Sequence, residues 1–140
     1  MDLRDFQDKS LADLEEIFLE PTETGSDALL SSGLALKVIQ DNKLYLPDSK
    51  GFKVYVEENL GVTYIHAFRC IQAAELVLFL QEHFSVLPQS ESAARPLVKL
   101  SRANQLKAWG EVLRITAGDK WAPGKDRIKK TIALLGLDKA

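Results

Sequence analysis

Apolar residues in this chain recur every three or four positions and almost never alternate, so the pattern predicts helices nearly throughout and no strand. Leu11, Leu14, Ile17 and Phe18 share one face of a short helix that Ser10 caps and Pro21 stops, with Phe6 in reach of packing back onto it. The polar run from Pro21 to Ser26 is rich in turn formers and reads as a flexible joint. From Asp27 to about Asn42, the residues Leu29, Leu30, Gly33, Leu36, Val38 and Ile39 form a broad apolar face suited to a buried helix.

Punctuation sets the remaining elements. A short helix carries Phe52, Tyr55, Val56 and Leu60; either Asp48 or Ser49 caps it, and Gly61 sits where a C-terminal glycine belongs. Thr63 caps a longer helix running to about His83, with Ala67, Ile71, Ala74 and Leu78 on its inner side. Leu87 to Ser90 reads as a loop, and Pro96 either opens or kinks a helix ending near Leu100. Ser101 caps a helix that places Leu106, Trp109, Leu113 and Thr116 on one face and ends at Gly118. Pro123 suits the first turn of a last helix with Ile128, Ile132 and Leu135, closed by Gly136. The expected fold is all-α: a compact multi-helix domain of six or seven helices, in which residues 1–24 form an acidic N-terminal helix or arm and residues 25–140 the main body.

Composition narrows the class. With 140 residues and 46% hydrophobic content, the chain is long and apolar enough to bury its own core. A single cysteine, Cys70, excludes an internal disulfide framework, no apolar leader is evident, and a reducing, cytoplasmic setting is expected. The longest strongly apolar run, Leu76 to Leu80, is far short of the roughly twenty residues of a membrane span.

Charge changes the picture more. The net −2 is a cancellation: residues 1–48 carry 4 Lys/Arg against 11 Asp/Glu, and residues 92–140 carry 11 against 4. The basic segment can form an electrostatic footprint for a polyanion, with Lys99, Arg102, Lys125, Arg127, Lys129 and Lys130 as candidate phosphate contacts. The alternative is an ordinary solvated helical surface.

The strongest constellation lies within residues 50–83, where a helix, a glycine turn and a second helix follow helix-turn-helix spacing. Val62 can be buried in the turn, and small Ala67 lets the second helix lie close against the first. At the start of that helix Thr63, Tyr64, His66 and Arg69 can offer donors to base edges or phosphates, with Lys50 and Lys53 near the backbone. Helical phase leaves Ile65 and Phe68 ambiguous; Tyr64 and Phe68 could equally be core aromatics, and Arg69 could pair with Glu57 or Glu58.

The segments Gly33–Ile39, Lys43-Leu44-Tyr45, Phe52–Ala74 and Leu87–Leu100, together with Trp109, resemble a run found in plasmid- and phage-associated DNA-binding proteins of ParB-like type, over roughly residues 29–136. The N-terminal nucleotide-binding module of full ParB proteins has no counterpart here. The resemblance implies sequence-specific binding of double-stranded DNA, in transcriptional control or in plasmid or phage maintenance, with the helix from Thr63 as recognition helix. Arg95 then either contacts phosphate or holds its loop by bonding carbonyls. A homodimer is expected on separate grounds, because one short recognition helix makes few base contacts.

Enzymatic readings find little support. His66 and Cys70 lie four apart on one helix face, but two ligands do not make a zinc site, and a Cys70–His66 nucleophile pair lacks an orienting third group. Glu15-Glu16 and Glu57-Glu58 are adjacent and point to different sides of a helix, and no phosphate-cradling glycine loop is present. The chain is expected to be non-catalytic and free of cofactor. The competing expectation is a protein-interaction module that engages a partner through the acidic N-terminus.

Overall fold

Side-chain hydroxyls start four of the helices, three of them at the positions expected from sequence and one, Ser90, where a loop was expected. Ser10 Oγ accepts the Asp13 N–H and opens α1 (Leu11–Leu19), while α2 (Gly25–Asp41) follows with no side-chain cap. The helix α3 (Phe52–Asn59) is followed by α4 (Tyr64–Leu80), where Thr63 Oγ1 accepts the His66 N–H at 3.1 Å. Ser90 caps α5 (Glu91–Val98), Ser101 caps α6 (Arg102–Ile115), and α7 (Lys125–Leu134) closes at Gly136. These seven helices and two 3-10 turns, at Leu3–Asp5 and Leu137–Lys139, make up the secondary structure of the computed structural model, which describes residues 1–139; among these there is no strand. The all-α expectation stands.

The chain divides into two compact units, one from Met1 to Glu75 and one from Leu76 onward. In the first, α1 packs on α2, and Leu14, Leu30, Leu34, Leu36, Ile39, Tyr55 and Val56 are fully buried. Residues 1–24 are part of this unit. Phe6 is buried as well, behind a 3-10 turn in which Asp2 and Asp5 cap each other's backbone. Gly33 marks a close helix approach: a Cβ there would lie 2.3 Å from the Cys70 carbonyl oxygen and 2.4 Å from the Ala74 methyl, so only glycine lets α2 and α4 meet this closely.

In the second unit α5, α6 and α7 pack on one another, with Leu97, Trp109, Val112 and Ile128 fully buried. Gln105 is the buried polar member. Its Nε2 donates to the carbonyls of Leu97 at 3.0 Å and Leu100 at 3.1 Å, satisfying the open end of α5. Trp109 Nε1 donates to the Val86 carbonyl at 2.8 Å and pins the loop before α5.

Several local expectations are corrected. Gly51, not Asp48 or Ser49, is the N-cap of α3, and it makes no side-chain cap bond. The helix α4 ends at Leu80 rather than near His83, where the backbone tightens into a turn. Pro96 neither opens α5 nor breaks it: the helix begins at Glu91, and Pro96 lies inside it, at the cost of one bond to the Ser92 carbonyl. The inward face of α6 is Gln105, Ala108, Trp109 and Val112, with Thr116 just beyond, whereas Leu106 and Leu113 are only half-buried.

Candidate nucleic-acid interface

The corner between α3 and α4 is built around Gly61. Its left-handed backbone, φ +70°, lets the Val62 N–H turn back to the Val56 carbonyl at 3.2 Å, which also accepts from Leu60. Across the four residues Leu60 to Thr63 the helix direction changes by 105°. Glu57 Oε2 receives the Tyr64 N–H at 3.4 Å, a long contact that ties α3 to the first residue of α4. Ala67, fully buried, keeps the inner side of α4 small.

The outer side of α4 holds what the sequence singled out. Thr63, His66 and Arg69 are exposed, as are Lys50 and Lys53 around the start of α3. Arg69 forms no ion pair among the described residues, so the expected partnership with Glu57 or Glu58 is not made. Tyr64 is less available: half-buried, it stacks on Phe68 with ring centroids 6.2 Å apart and meets Phe52 edge-on at 6.4 Å. The two residues left ambiguous by helical phase both face solvent, Ile65 at 60% and Phe68 at 45% exposure. His66 Nε2 lies 3.5 Å from the Cys70 sulfur, and no group of three or more His, Cys, Asp or Glu side chains that could hold a metal comes together among the described residues.

The other candidates belong to the second unit. Lys125, Arg127, Lys129 and Lys130 are exposed along α7, because its buried side is Ile128, Thr131 and Ile132. Of these, Arg127 alone forms an ion pair among the described residues, with Asp119 at 4.0 Å. Lys99 is exposed at the end of α5. Arg102 is already engaged: its guanidinium lies 4.6 Å from the Phe79 ring centroid, and Nη1 donates to Gln105 Oε1 at 2.9 Å. Arg95 makes no bond to a loop carbonyl among the described residues; it pairs through two hydrogen bonds, 2.8 and 2.6 Å, with Glu91 one turn earlier. That pairing holds the Arg95 guanidinium above its ordinary pKa, as Glu111 does for Arg114.

Charge follows the division of the chain. The first unit carries 7 Lys/Arg against 14 Asp/Glu, net −7, and residues 76–140 carry 11 against 6, net +5. In the first unit a cleft of about 540 Å³ is lined by five carboxylates, Asp5, Asp13, Glu16, Glu20 and Glu23, and one cation, Lys9, over Phe6 and Ile17. Among the described residues no single helix is long and apolar enough to cross a membrane. No family model, no curated protein and no solved structure matches the chain.

Proposed function

We propose that this protein binds double-stranded DNA sequence-specifically, with the start of α4 as the element that enters the major groove, and that it acts as a transcriptional regulator or a plasmid or phage maintenance factor. The observation that carries the reading is the corner itself: two helices turned 105° across four residues, with the Thr63-capped start of α4 uncovered. Thr63, His66 and Arg69 supply donors for base edges and phosphates, and exposed Ile65 and Phe68 supply apolar contact of the kind thymine methyls accept. A net −7 on this unit opposes a polyanion, so the phosphate attraction falls to the lysines of the second unit. Two copies of the chain on a repeated site would double the base contacts.

The test is fluorescence anisotropy of the full chain with duplex fragments flanking its own gene and with random duplex. Preference for one fragment, reduced roughly tenfold by Arg69→Ala or Thr63→Ala at that site and less on random duplex, supports the reading. Equal, weak binding to every duplex overturns it.

The acidic cleft favours a second reading, a non-catalytic module that docks a basic protein segment against Asp13, Glu16 and Glu20. Deleting residues 1–24 is not a clean test, because Leu14 is fully buried and Glu15 receives the Tyr55 hydroxyl at 2.6 Å. Glu16→Lys with Glu20→Lys leaves those contacts in place; it abolishes partner capture under this reading and leaves site preference on DNA intact under the first.

A further inference from the structure

The two tryptophans have opposite environments. Trp109 is fully buried and hydrogen-bonded, whereas Trp121, in the connection between α6 and α7, is 78% exposed. An indole left this open keeps a large apolar, π-rich surface in water. One cation lies at the ring, Lys120 Nζ 5.4 Å from its centroid, and the helix that follows carries Lys125, Lys129 and Lys130 without an ion pair among the described residues, beside the acidic Asp126. Lys125 is four residues beyond Trp121, and Lys129 is one helical turn further along the same face.

We infer that this part of the second unit binds single-stranded nucleic acid, Trp121 serving as a stacking platform for an unpaired base and the lysines beside it taking the flanking phosphates. Charge complementarity points to a polyanion, since residues 76–140 carry a net +5 and these lysines form no ion pair among the described residues. The exposed indole narrows the class. Base faces in a duplex are already stacked on one another, so an aromatic platform has a use where bases are unpaired. A membrane surface fits less well, because an interfacial helix must turn a whole apolar side outward, and in α7 Ile128 and Ile132 are buried while of its large apolar residues Leu134 alone, in the last turn, is exposed. An acidic polypeptide would use the lysines and leave the indole idle.

This inference does not depend on groove reading by α4, and its test separates the two. The full chain is titrated with a labelled oligothymidylate of about twelve nucleotides, followed by anisotropy and by tryptophan emission. Expected are saturable quenching of the exposed tryptophan, an affinity that falls steeply with salt, and a loss of roughly tenfold in Trp121→Ala that Trp121→Phe largely restores. Arg69→Ala leaves this binding unchanged. Three results overturn the inference: equal affinity in Trp121→Ala, equal competition by polyphosphate or polyglutamate, or a response of Trp121 to anionic phosphatidylserine vesicles without one to the oligonucleotide.

Discussion

At the scale of single residues, the first unit depends on a few positions that allow one occupant. Gly33→Ala places a methyl group against the backbone of α4 at Cys70, which cannot yield as a flexible side chain would. We expect a loss of about 3 kcal/mol in urea unfolding of the full chain. Tyr55 is the second such residue. Burial first, then the hydrogen bond and charge of Glu15, push its phenol well above the ordinary 10.0, so the folded state holds this proton where the unfolded chain releases it. The resulting stability is fully present below pH 10 and is lost as pH rises above it. Unfolding free energy should therefore fall more steeply between about pH 9 and pH 11 in the parent than in Tyr55→Phe. Equal slopes would mean that the phenol ionises in place. Of these two residues, the sequence showed that Gly33 and Tyr55 lie on inward faces. It could not show that Gly33 meets Ala74 or that Tyr55 finds Glu15, because both are contacts between residues about forty positions apart.

At the scale of elements, local chemistry was the readable part. Ser10, Thr63, Ser90 and Ser101 each accept an N–H three residues on, and hydroxyl caps at three of these four positions are what the spacing predicts; the role of Ser90 was missed because Pro96 drew the helix start too far along. On α6, Trp109 and Thr116 are buried as their spacing predicts, and only the two leucines of that face are not. Leu106 and Leu113 look like core residues, yet the buried position is Gln105, an amide that apolar periodicity assigns to solvent. Its value lies in the two carbonyls it satisfies at the end of α5. Gln105→Ala takes the side-chain donor from both carbonyls, leaving Leu97 its backbone bond from the Leu100 N–H, and should cost about 2 kcal/mol, read by thermal or urea unfolding, while Lys107→Ala on the exposed side of the same helix should cost little.

At the scale of the molecule, the acid–base polarity was plain from counting charges, but its structural meaning was not. The chain divides at Glu75 and Leu76, within α4, where the apolar periodicity runs on unbroken and gives no sign of a boundary. That division also separates a unit of net −7 from one of net +5, so the residues proposed to read bases and most of those proposed to hold phosphate lie on different units. The most direct measurement of the proposed function is the salt dependence of affinity for the preferred duplex. Log affinity should fall linearly with log salt, with a slope set by the phosphates neutralised, and Lys129→Ala with Lys130→Ala should reduce that slope by about 2 without changing which fragment is preferred. Affinity that ignores salt, or a slope untouched by removing both lysines, would contradict DNA binding held by the basic face of α7.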